Sequence, residues 1–212
     1  MRLLFAAARA AAGILGLVAV IVTFAVTASR GPINPFNFFG YFTLQSNIGF
    51  AIVMLALAVD GFANRRQSEL LLLTRGCVAT YMIIVGLVYN TLLTGLEGGV
   101  TVVWANIVLH VVVPIYALVD WLFFGDRPPL PWKRYWIVLV YPVVWLVVVL
   151  IRVGTDGMSF YPFLNFNDPK LGGGGVALYC VVIAIGFAAF GALIWVLSRV
   201  RILKGKDAVE TA

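Results

Sequence analysis

NPFNFFGYFTLQSNIGF, residues 34 to 50, opens an apolar run and then sets Thr43, Gln45, Ser46 and Asn47 inside it. Unpaired polar groups in hydrocarbon cost several kcal/mol each, so in a membrane these side chains have to look inward and find a use. Asn34 is a good N-cap and Pro35 a natural first helical residue, which predicts a helix beginning at Pro35. Thr43, Ser46 and Asn47 stand at i, i+3 and i+4 and then share one face of it. At about 1.5 Å per residue, Thr43 is expected roughly 12 Å below the helix start.

The rest of the chain supports a membrane setting. Of 212 residues, 62% are hydrophobic and 11% charged, and the mean hydropathy is +1.02, far from a soluble domain. Apolar runs of spanning length lie at about 9–28, 35–59, 70–91, 102–124, 132–151 and 175–197. They lack the alternation of barrel strands, so the expected fold is all-α: a polytopic bundle of six transmembrane helices. It forms one domain over 1–204, followed by a tail at 205–212. The first run ends at Val26-Thr27-Ala28, a signal-peptidase-like site, but its apolar stretch exceeds the usual signal length and is read as a retained helix.

The net charge of +6 does not point to nucleic acid. Only Arg30, Arg152 and Lys170, of 15 Lys and Arg, fall in the first, third and fifth connections. The others flank the opposite ends of the spans, with Arg2 and Arg9 at the N-terminus and Arg65, Arg66 and Arg75 in the second loop. Arg127, Lys133 and Arg134 lie in the fourth, and Arg199, Arg201, Lys204 and Lys206 in the tail. The positive-inside rule then puts both termini in the cytoplasm. Cys77 and Cys180 are assigned to opposite leaflets, as unpaired thiols.

Polar residues collect towards the outer leaflet, with Asp120 the main exception. Asn90 and Thr94 share a face near the outer end of the third span, before a tight turn at 95–99. The fourth span reads WANIVLHVVVPIYALVDW from Trp104 and holds His110, the sole histidine, about 12 Å below its outer end. Asn106 is one turn above on the same face. Pro114 cannot donate to the carbonyl of His110 and its ring crowds it, so a bend and open space are expected beside the imidazole.

Several chemistries are excluded. One histidine and no inward cysteine pair leave no metal or haem ligand set, and no lysine sits mid-span to carry retinal. Gly172 to Gly175 lack the preceding strand and the Lys-Ser/Thr ending of a phosphate loop, so no soluble cofactor is expected. Two readings remain. In one, Thr43 Oγ is a nucleophile and His110 its base, with Ser46, Asn47, Asn90 and Asn106 orienting groups or binding substrate. In the other, a permease or structural subunit, the same side chains are an interhelical hydrogen-bond network.

Phe42-Thr43-x-x-Ser46-Asn47, Trp104-x-Asn106-x-x-x-His110-x-x-x-Pro114 and Tyr161-Pro162-Phe163 resemble the androgen-induced family of six-helix membrane proteins, and its bacterial branch most of all. The resemblance implies an intramembrane threonine hydrolase that cleaves fatty acid esters of hydroxy fatty acids, or similar acyl esters, in the plasma membrane. It matches the family's threonine to Thr43 and its histidine to His110. Ile107 departs from the animal members, which carry a further histidine there. The implied partner is a membrane lipid or acyl ester.

Overall fold

The computed structural model describes residues 1–95, 102–200 and 202–203. The tail at 205–212 and most of the turn at 95–99 lie outside the described residues. Among those described, the chain is all-α, with six helical spans long and apolar enough to cross a membrane. The spans are α1 (Arg2–Ser29), α3 (Phe42–Phe62), α4 (Glu69–Val88, running on to Leu93), α5 (Val103–Ile107) continuing as α6 (Val113–Phe123), α7 (Ile137–Thr155) and α8 (Gly172–Leu197). The architecture is that of a multi-pass membrane protein.

The second span differs from the expectation. Asn34 does cap a helix at Pro35, its side chain accepting from Phe36 N at 2.9 Å, but that helix, α2 (Pro35–Phe38), ends after one turn. The chain breaks at Phe39 to Tyr41 and restarts as α3 at Phe42. Gly40 makes the break possible: a Cβ there would run into the ring of Phe160 and come within 2.9 Å of Phe36 O. Thr43 is therefore in the first turn of its span, not two turns down.

α4 is the most buried span and packs against α3, α6, α7 and α8, whereas α7 and α8 turn rows of exposed Val, Leu and Ile outward. α1 lies along α3 through small residues, as helices do when lipid offers no hydrophobic drive for association. Two glycines of α1 differ here: at Gly13 a Cβ would stand a tight 3.1 Å from Ala51 O and from Leu55 Cγ. Gly16 has its nearest neighbour at 3.7 Å and ordinary room.

An ionic cluster joins three helices at the end of the bundle where α1 begins. Arg9, placed at the flank by sequence, is 1% exposed, and Arg75, assigned to a loop, is inside α4 and 0% exposed. Arg9 donates through Nε to Asp120 Oδ1 at 2.7 Å and grips Asp126 with both terminal nitrogens at 2.6 and 2.8 Å. Arg75 donates to Asp120 Oδ2 at 2.8 Å and to Asp126 Oδ1 at 2.9 Å, and also bonds the carbonyls of Asp120 and Phe124. Burial alone would raise the Asp126 carboxyl. The hydrogen bond from Arg9 and the charges of Arg75 and Arg9 outweigh it and hold that group well below the usual carboxylate range. Leu203 pairs by backbone with Phe123 and Gly125, so the segment after α8 returns to this same end.

Candidate active site

The break at Gly40 leaves the first N–H groups of α3 without intrahelical acceptors, and Tyr41, its N-cap, supplies no side-chain bond. A distant residue fills the gap. Tyr161, in the loop between α7 and α8, brings its phenol 3.4 Å from Thr43 N and 3.5 Å from Thr43 Oγ1. Tyr41, Trp145 and Phe163 pack around its ring and it is buried, which pushes the phenol up to about 12. Gln45 steadies the break from below, donating to Phe39 O at 2.8 Å and accepting from Tyr141 at 2.7 Å. Trp145 Nε1 donates to Gly40 O at 2.9 Å.

Thr43 and Tyr161 are among the residues lining a cavity of about 100 Å³ whose walls are mostly apolar. Val85 and Val88 of α4, Leu139 and Leu146 of α7, and Ile183 and Phe187 of α8 line it. Cys180 also faces it, while Cys77 is buried in α4, and both are free thiols. Such a lining suits an acyl chain, with Thr43 and Tyr161 among the polar residues beside it.

His110 sits behind this wall, in a π-helical turn from Val108 to Val112. Its ring stacks on Tyr89 with centroids 3.8 Å apart, and Tyr89, which lines the cavity, opens a second π-turn, Tyr89–Leu93. Single π-turns within α-helices occur often at functional sites. His110 Nδ1 is 3.0 Å from Asn106 O. A carbonyl only accepts, so Nδ1 carries the proton and Nε2 presents the lone pair, the tautomer a base requires. Asn106 meanwhile donates through Nδ2 to the Tyr89 phenol.

Asn47 ties the two halves together. Its Nδ2 donates to Thr43 O at 2.9 Å and to Leu109 O, next to His110, at 3.2 Å, while its buried Oδ1 has no partner among the described residues. Ser46 is buried with its hydroxyl likewise unpartnered. Asn90 stands apart: it is exposed and bonds Gly86 O on its own helix. No hydrogen bond joins Thr43 to His110 among the described residues.

The space expected beside Pro114 is filled. A Cβ on Gly86 would stand 3.0 Å from Pro114 Cβ and 3.5 Å from His110 O, so α4 presses its backbone into the place the proline opens. Tyr161 as a neighbour of Thr43 was not legible from spacing, because 118 residues separate them. No three His, Cys, Asp or Glu side chains among the described residues are grouped to hold a metal ion. Comparison with protein-family models, with curated proteins and with solved structures finds no match to this chain.

Proposed function

We propose that this protein is an intramembrane hydrolase of lipid acyl esters, with Thr43 as nucleophile and His110 as general base, and with both termini in the cytoplasm. The observation that carries the proposal is the largely apolar cavity that Thr43 helps to line. An acyl chain in the cavity would bring its ester carbonyl to Thr43. Oγ attacks the carbonyl carbon as its proton passes to His110 Nε2, directly or across one water, and the carbonyl electron pair moves onto oxygen. Collapse breaks the ester C–O bond, and His110 returns the proton to the departing alkoxide. Water then repeats the sequence on the acyl-threonine, releasing the fatty acid and restoring the Thr43 hydroxyl. The tautomer that the Asn106 carbonyl selects supports the role of His110.

A purely structural network is the competing reading, and the Asn47 bridge between α3 and the His110 turn favours it. Covalent chemistry separates the two. Purified protein should be labelled by an alkyl fluorophosphonate and should hydrolyse 4-nitrophenyl palmitate in detergent. Thr43→Ala and His110→Ala should each abolish both. Thermal stability should be nearly kept in Thr43→Ala, since one membrane hydrogen bond contributes only about 0.6 kcal/mol. It should fall by about 0.5–1.5 kcal/mol more in His110→Ala, which also loses the stack on Tyr89. Ser46→Ala is the control for the nucleophile and should keep covalent labelling, since the Ser46 hydroxyl has no hydrogen bond among the described residues. Labelling that survives Thr43→Ala and disappears with Ser46→Ala would move the nucleophile to Ser46. No labelling of the parent protein would leave the network reading.

A further inference from the structure

The hydrolase reading leaves one requirement unmet: something must receive the negative charge that develops on the carbonyl oxygen. In a dry site that stabilisation is commonly the largest single contribution to rate. Asn47 is poorly suited to it, because its Nδ2 already serves two carbonyls. Tyr161 is the remaining donor at Thr43, and the local geometry gives it a partner.

We infer that the Tyr161 phenol and the backbone N–H of Thr43 together form the oxyanion hole of the acyl-transfer reaction. This rests on the proposed hydrolase activity and adds a catalytic residue to it. Thr43 is the second residue of α3, so its N–H has no acceptor within the helix. It points instead to the phenol oxygen, 3.4 Å away. With that oxygen accepting from the backbone, the phenol proton is free to lie toward Thr43 Oγ1 at 3.5 Å, and the threonine proton is left for the base.

When Oγ attacks, the new oxyanion and Oγ share one carbon. In the resting protein the Thr43 N–H points at the phenol oxygen and the phenol stands 3.5 Å from Oγ. An oxyanion entering beside Oγ would take the place of the phenol oxygen on the N–H and receive the phenol proton, with both donors then closing to about 2.7–3.1 Å. The long resting distances fit this, since catalytic hydrogen bonds tighten as charge appears. No proton leaves Tyr161 in the cycle. The phenol donates a hydrogen bond during addition and returns to Oγ when the carbonyl re-forms. Burial keeps the phenol protonated well above neutral pH. The positive end of the α3 dipole adds to the same field.

A purely structural alternative is available: Tyr161 caps α3 in place of a side chain from Tyr41. The test must therefore read something that a cap does not move. In Tyr161→Phe, kcat for 4-nitrophenyl palmitate should fall roughly 10²- to 10³-fold, with KM within about threefold of the parent. An alkyl trifluoromethyl ketone, which forms a tetrahedral oxyanion on Thr43, should lose affinity by a similar factor. The matching methyl carbinol, which forms none, should bind unchanged. Site-specific 3,5-difluorotyrosine at 161 preserves shape while acidifying the phenol, so the alkaline limb of the kcat profile should move to lower pH. That variant keeps the test decisive if Tyr161→Phe does not fold. Wild-type kcat in Tyr161→Phe, or an unmoved alkaline limb in the fluorinated protein, would overturn the oxyanion assignment alone. Parallel losses of kcat, carbinol affinity and thermal stability would reduce Tyr161 to a cap. If the parent protein neither hydrolyses the ester nor reacts with the fluorophosphonate, the hydrolase reading falls first and takes this one with it.

Discussion

Asp120 shows how far a single residue's partners determine what it does. A lone carboxylate in a span is expensive enough to demand a partner, and here it has two guanidinium groups, each also bonded to Asp126. Such a group contributes little against a well-packed apolar replacement, yet removing one member strands the others without charge balance. Asp120→Asn is therefore expected to lower stability by about 3–5 kcal/mol, read as a drop in the thermal unfolding midpoint in detergent. Replacing Asp120 by Leu and Arg9 by Met together should recover much of the loss. An unchanged midpoint in Asp120→Asn would mean that the cluster is not formed. The demand for a partner was visible in the sequence as the one acidic exception inside the fourth span. Its answer was not: Arg9 and Arg75 looked like ordinary flanking charges, and only the fold brings residues 111 and 45 positions apart into contact.

At the scale of elements, the readable features were those set by neighbours in sequence. Six apolar runs of about 20 residues, the Asn34-Pro35 helix start and the shared face of Thr43 and Asn47 all follow from local composition and period. The break at Gly40 and the contact of Gly86 with Pro114 were not legible, because their partners are distant in sequence: Phe160 packs on Gly40, and Gly86 on Pro114. Of the π-turns, only a disturbance of the helix near His110 could be read, from Pro114. The second pairing also has a consequence for the site. Gly86 precedes Tyr89 by one turn, and Pro114 follows His110 by one, so the close approach of α4 and α6 sets the Tyr89–His110 stack. Gly86→Leu should overpack this contact, costing about 1–3 kcal/mol and pushing the stack apart. Fluorophosphonate labelling should then fall more than thermal stability does. Gly49→Ala is the control, since its Cβ would meet Val78 only at 3.9 Å and should be tolerated. Equal effects from the two would remove the link between the crossing and the site.

The whole molecule is polarised along its axis. One end gathers the start of α1, the return of the chain after α8 and the ionic cluster of Arg9, Arg75, Asp120 and Asp126. The break before α3, Thr43 and the Tyr161 loop lie toward the other end of the spans. Twelve of the 15 basic residues belong by sequence to the connections and tails at the first end. Burial complicates that asymmetry, because Arg9, Arg75 and Arg127 are enclosed rather than presented to water. The positive-inside bias acts during insertion, before the bundle closes, when all of these side chains are still available to bias which side their flank stays on. Discounting the three buried arginines still leaves Arg2, Arg65, Arg66, Lys133 and Arg134 and the tail against Arg30, Arg152 and Lys170. Orientation should therefore survive loss of the cluster even where stability does not. A reporter fused after Lys206 that is active only outside the cytoplasm should stay silent, and it should stay silent when Arg75 is replaced by Met. Activity in the parent fusion would reverse the orientation and put Thr43 in the inner leaflet. Activity in the Arg75→Met fusion alone would show that this buried arginine, not the exposed ones, decides the topology.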